Sequence, residues 1–508
     1  MSGGRLLRIG IDLGPGRPTA VLVGADGRIL ARCGCPAAPS DPAGTVRRLL
    51  AGVLPPDPGP VRAVVSCPGP ADLLGDPRVL DRVGVLRIGA PATTGVPPLT
   101  GWPGDLAGAV RGPVAVVGGG YLHDGSEIAP LDTGAIGAFA RRCAGEVAAV
   151  AVAAVSGNLD PGHEQRAAGL LGAVLGPDVP VVTAHGYGGV GLLERENTAV
   201  LDAALARRAG ALTAALAGEL AAVAGPDAEL YLMDGGGHVL SPELAAAHPV
   251  LMLGAPHATA RAGTARLTGS PTLVVLDSGA EGLRIGGLDD GLVPDTGTFR
   301  EVRGIRLAVR TDRVVHVQPD RSAGPAVLLG RVRAGIVRVG AALGGAPVAV
   351  AGTADVVPVP PEARRPADAE WAIAYGAATA EASATVDRLF RFADGSLADG
   401  VRLARRSARD GAVLAGADPR RVRIGTVREM AMTYVPMPCV RLRVTATGPL
   451  VDPAGTGTTV GATTGEPQGE PPGETTGAAA GAVAGATPRE TPGAAAGESL
   501  GDTTGETR

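Results

Sequence analysis

Two periods of apolar residues run through the chain. Short apolar runs at 8–11, 20–23, 61–65, 86–88, 114–117, 147–155, 179–183, 230–233, 273–276 and 283–285 predict buried strands. Between them, apolar residues recur at helical spacing. Val46, Leu49, Leu50 and Val53 predict a helix over 41–54, and Leu201, Leu205, Leu212, Leu216, Leu220 and Val223 a long one over 194–223. Ala372, Tyr375, Thr379, Ala382, Val386 and Leu389 fall roughly on one side of a helix over 368–390. A helix over 398–415 and strands over 422–427 and 440–445 close the pattern. Asp160-Pro161 marks a helix start, with Asp160 and Glu164 read as capping its first turn. Strands alternating with helices predict an α/β fold.

Two of the strand-turn-strand stretches repeat one design. In the first, 8–11 leads to Asp12, Gly14 and Gly16, and 20–23 returns. In the second, 273–276 leads to Asp277, Gly279 and Gly282, and 283–285 returns. Backbone N–H groups of such a turn face an anion, and the Asp faces a metal or its water. One hairpin alone is weak, because many Asp-Gly turns look similar. Two of them half a chain apart predict two related lobes closing on one ligand. That is the actin-like architecture of sugar kinases and chaperone ATPases.

Composition narrows the rest. The 508 residues hold several core-sized units, with 45% hydrophobic residues but only 2% aromatic. There is no lysine, and the net charge is −4. Neither nucleic-acid nor membrane-surface binding is expected from that balance. The five cysteines include one close pair, Cys33 and Cys35, with no second pair to complete a zinc site. Reduced thiols, no signal-like lead and no apolar run near the ~20 residues of a spanning helix give a cytoplasmic expectation. From about 450 the chain turns to Gly, Thr, Ala, Pro and Glu and repeats Thr-Thr-Gly-Glu, which predicts a disordered tail. The expected division is therefore a lobe over 1–190, a second lobe over 191–449 and a tail over 450–508.

Further landmarks carry a resemblance. They are Asp160-Pro161-Gly162-His163-Glu164, Leu192-Leu193-Glu194-Arg195-Glu196-Asn197, Val239-Leu240-Ser241 and the stretch 372–390. With the two hairpins, these resemble the hydantoinase/oxoprolinase family (hydantoinase A-like) from about 8 to 444. The resemblance implies a two-lobed ATPase fold, Mg-ATP as cofactor and hydrolysis of a small cyclic amide. It assigns Asp12, Gly14, Asp277 and Gly279 to the nucleotide phosphates, and Asp12 and Asp277 to magnesium. His185, kept from a Ser-His-Glu run, is its candidate catalytic residue, though a structural histidine at a strand end fits equally. It implies a second hydantoinase-type subunit, or a further copy of the chain, as partner.

The departures from the family pattern fall in the turns. The family's Asp-x-Gly-Gly-Thr reads Asp12, Gly14, Pro15 and Gly16 at its defined positions, and Pro15 has no N–H to offer. In the second hairpin, Gly-Thr-Thr-Thr-Asp is replaced by Ala280, Glu281, Gly282, Leu283 and Arg284. A bare Glu281 carboxylate at ~4 Å from phosphate would repel it by several kcal/mol at an effective dielectric near 20. A Gly-Thr-Thr run is replaced by the turn from Ser66 through Cys67 to Asp72, and an Asn by Ile373. The expectation is a homologue with weakened or lost catalysis and a binding or regulatory role. The alternative is an active ATP-dependent amidohydrolase with a rearranged site built from Asp12, Asp277, His185, Arg284 and Glu281. A kinase of the same architecture has no nameable base and hydroxyl-substrate pocket.

Overall fold

A computed structural model describes residues 6–452, apart from 39–40, 57, 296–298, 321, 354–355, 393–394 and 433–437. The predicted tail lies outside the described residues, save 450–452.

The two hairpins each seed a sheet, and the sheets repeat one another. Strand Leu7–Asp12 pairs antiparallel with Thr19–Val23 on one side and parallel with Val61–Ser66 on the other; Ile29–Gly34 extends the antiparallel side. Strand Leu273–Gly279 likewise pairs antiparallel with Gly282–Leu288 and parallel with Val348–Gly352, and Val314–Val317 extends the antiparallel side. Four strands in the same order and sense make the internal duplication concrete. Both aspartates sit near the carboxyl end of the first strand of their unit, where open α/β sheets bind ligands.

The first unit grows into a nine-stranded sheet. Glu229–Met233, Val239–Leu240, Glu381–Arg391, Cys439–Pro449 and Arg423–Ala431 join beyond Val61–Ser66. This sheet draws on 7–66, 229–240 and 381–449, so it crosses the division expected at 190/191. A separate, fully parallel sheet of Arg111–Gly118, Val83–Ala90, Ala149–Ala154 and Val181–Thr183 lies beside it. The helix Leu192–Ala224 links the two cores. Its residues 195–205 are buried almost without interruption, and only its later part shows the expected single stripe, through Ala209, Thr213, Leu216 and Leu220.

One predicted element is corrected. The stretch 368–390 is a short helix, Ala372–Ala378, followed by the strand Glu381–Arg391. Along that strand Ala382, Ala384 and Val386 are buried in alternation with Ser383, Thr385 and Asp387. Small alanines fit both periods, so the helical count ran on through a period-two segment.

The short helix is where the lobes meet. A Cβ on Gly10 would stand 1.8 Å from the Ala374 carbonyl oxygen, and one on Gly263 would stand 1.8 Å from that of Ala372. Strand Leu7–Asp12, helix Ala372–Ala378 and helix Ala255–Thr268 therefore stack backbone on backbone, and only glycine fits at the two crossings.

Candidate functional site

The stacked elements bring the two hairpin carboxylates near one another. Asp12 lies close enough to Asp277 for the second carboxylate to raise the pKa of the first. Burial is the main cause, with the Asp277 charge adding to it and a hydrogen bond from the Gly14 N–H opposing; the Asp12 carboxyl is pushed up to about 7. That bond, 2.8 Å to Oδ1, also spends on Asp12 itself a turn amide that would otherwise face a ligand. The next residue, Pro15, has none.

Asp277 is engaged from the other side. His257, in the first turn of helix Ala255–Thr268, places Nδ1 2.8 Å from Asp277 Oδ2. Burial and the nearby Arg261 guanidinium hold His257 below its ordinary pKa, so it is neutral at pH 7 and donates Nδ1–H to Asp277. Its Nε2 is buried against Gly286 without a hydrogen-bond partner among the described residues. Arg261 is itself bonded to Asp312 at 2.6 Å and to the Gly287 carbonyl.

The turn after Val61–Ser66 lies near Asp12. Cys67 is buried, and burial with the charges of Asp72 and Asp12 pushes its thiol up to about 12. It is not a ready nucleophile at neutral pH. Burial also raises Asp72, against the Gly69 and Gly254 N–H groups and the charges of Arg300 and Arg284. At the turn of the second hairpin, Glu281 is exposed and paired with Arg284 at 3.1 Å. Its charge is therefore not the bare carboxylate expected of that position.

The other candidates gather elsewhere. His185 stands just past strand Val181–Thr183 and gives both its backbone N–H and Nδ1 to Glu164 Oε2, at 2.7 and 2.9 Å. Glu164 Oε1 takes the Ala154 N–H at 2.7 Å, and Arg195 lies 3.9 Å away. No hydrogen bond or ion pair among the described residues joins His185 to Asp12 or Asp277. The helix begins at Gly162 with Pro161 at its cap position; Asp160, one residue earlier, accepts the Gly162 N–H, and Glu164 does not cap. Glu164 is a fully buried carboxylate that clamps two loops of the parallel sheet. Arg87 and Glu196 form a bidentate pair at 2.6 and 2.7 Å, each side chain 1% exposed. Two of the family-like landmarks thus meet at Glu164 and Arg195, as internal supports of the fold.

Sequence reasoning missed His257, Arg261 and Asp312. The visible signal was a histidine just inside a helix start, 20 residues before Asp277, but only the fold brings the two together. It also missed a half-open cavity of about 410 Å³, lined in part by Arg300, Arg310, Asp234 and Thr385.

No protein-family model matches the chain, and no curated protein does. Its fold is similar to that of two solved structures over most of its length. One is acetone carboxylase in its nucleotide-free form, from work on ATP-dependent acetone carboxylation: 11% identity, TM-score 0.56, 88% of each chain covered. The other is ATP-dependent caprolactamase from Pseudomonas jessenii: 16% identity, TM-score 0.62, again 88% of each chain. The chain has this mixed α/β, two-lobed actin-like architecture.

Proposed function

We propose that this chain is a hydantoinase/oxoprolinase-type homologue in which the nucleotide cleft no longer works as an ATP-driven catalytic site, and that it acts as a binding or regulatory subunit. The observation that carries the reading is the engagement of both hairpin carboxylates by the protein itself. Asp277 is taken by His257, and Asp12 is a partly buried carboxyl, pushed up to about 7, that accepts its own turn's N–H. Magnesium prefers carboxylates that are ionised and free to complete an octahedral shell. Phosphates need convergent N–H and hydroxyl donors. The residues at hand fit Mg-ATP poorly on both counts, with Pro15 and Glu281 at the turns. The fold's likeness to ATP-dependent enzymes supports descent from a cyclic-amide hydrolase, and a second hydantoinase-type subunit is the partner that descent suggests.

Calorimetry with magnesium and ATP on the full chain tests this. Binding weaker than about 1 mM and no measurable turnover are expected. Combining Pro15→Gly, Gly16→Thr, Ala280→Gly and Glu281→Thr should tighten it. Micromolar affinity in the unmodified protein would overturn the proposal.

A second reading draws on Asp12 alone. A carboxyl with a pKa near 7 is matched to general acid–base work at neutral pH. An amidohydrolase with a rearranged site would use it, and hydrolysis of a cyclic amide that disappears in Asp12→Asn would establish that reading instead.

A further inference from the structure

The half-open cavity has a charge pattern that the hairpins do not account for. Four arginines and two aspartates line it, and its other walls are largely apolar, with Val239, Leu240 and Leu251 among them. Two of the arginines are neutralised. Arg441 is bidentate to Asp387 at 2.6 and 2.7 Å, and Arg443 is paired with Asp295. Arg300 and Arg310 are not. Arg300 gives Nη1 to the Leu253 carbonyl, and Arg310 gives Nη1 to the Val293 carbonyl and Nη2 to Thr385 Oγ1. Neither forms an ion pair with a carboxylate among the described residues.

The two guanidinium groups rest on two backbone segments that are hydrogen-bonded to each other. Arg310 Nε lies 3.3 Å from where a Cβ on Gly236 would be, and Arg300 Nη2 lies 3.0 Å from where one on Gly254 would be. Gly235 ties the two segments together through its N–H to Leu251 at 2.8 Å. The remaining lining carboxylate, Asp234, is spent on the Gly236 and His238 N–H groups, and it meets Arg310 only through space. Arginines thus outnumber carboxylates in the lining, and although Arg300 feels the charges of Asp72 and Asp312 nearby, neither the Arg300 nor the Arg310 guanidinium is bonded to a carboxylate among the described residues; both forks stand in a half-buried, mainly apolar space. Such a site suits a singly charged, planar anion on an apolar body better than a solvated dianion.

We propose that this cavity binds a small organic monocarboxylate, its carboxylate taken by Arg300 and Arg310 and its apolar part packed against the Val239 and Leu251 walls. The proposal rests on the cavity and not on the nucleotide reading, and its test contains no nucleotide. The full chain is titrated calorimetrically with benzoate and hexanoate, then with benzyl alcohol and hexanol, then with inorganic phosphate. A carboxylate should bind with a Kd below about 1 mM, and its alcohol at least about ten-fold more weakly. Arg300→Gln and Arg310→Gln should each lose about ten-fold or more for the acid while leaving the alcohol unchanged. Arg405→Gln, outside the cavity lining, should change neither. If a glutamine variant loses its native circular dichroism, the acid-against-alcohol comparison on the unaltered protein decides alone. Equal binding of acid and alcohol, tighter binding of phosphate than of either acid, or no heat from either acid up to about 10 mM would each overturn the assignment.

Discussion

Replacing Asp12 by Asn keeps the shape and the acceptor for the Gly14 N–H but removes the proton equilibrium. The folded carboxyl titrates near 7, against 3.8 in an unpaired chain. The folded state therefore binds the proton more tightly than the unfolded state does. Stability from this group is full below pH 3.8 and falls as pH rises to 7, because ionisation is opposed by burial and by Asp277. The full difference of ~3 units corresponds to about 4 kcal/mol, of which about 2.5 kcal/mol is expressed between about pH 5 and 8.5. Asp12 is only partly shielded from water, so screening brings the expected effect to about 2 kcal/mol. The variant should gain that much over the wild type on going from the lower to the higher pH. Urea unfolding in metal-free buffer reads it, followed by the fluorescence of Trp371, which packs in the apolar cluster behind the first hairpin. A stability difference that is the same at both pH values would show that Asp12 is an ordinary exposed carboxylate, and the crowding of the cleft would be wrong.

Two other perturbations test neighbouring parts of the argument. His257→Ala should release Asp277 and strengthen manganese binding, read by electron paramagnetic resonance; unchanged affinity would mean that His257 does not occupy the metal-facing side of Asp277. Arg87→Met strands the buried Glu196 carboxylate and should lower stability by about 3–5 kcal/mol in thermal unfolding, whereas Arg87→Met with Glu196→Leu should recover much of that loss.

The architecture was readable because it depends on periods. The strand runs at 8–11 and 273–276, with their Asp-x-Gly turns, placed both seeds of the duplicated sheet, and the helix over 41–54 is observed as Pro42–Val53, capped by Asp41. The reading failed where alanine made two periods indistinguishable, in 372–390. It also failed where contacts join distant segments. Nothing local marks Glu164 as a partner of His185 and Arg195, or His257 as a partner of Asp277. A carboxylate in the first turn of a helix looks like a cap whether it faces solvent or a neighbouring loop. The large sheet also draws its closing strands from the far end of the chain, which no local pattern announces.

The glycine crossings at Gly10 and Gly263 act as a ruler. Asp12 follows Gly10 by two residues on the same strand, and His257, which holds Asp277, precedes Gly263 on the same helix. The spacing of the two backbones that carry Asp12 and His257 is therefore measured out by main chain touching main chain, and only the side chains beyond them can adjust the gap between the carboxylates. Turn residues on either rim can drift without altering that spacing. One methyl group at either crossing would reset it for the whole cleft, so the backbone distance across the site is inherited from positions that never touch what lies inside it.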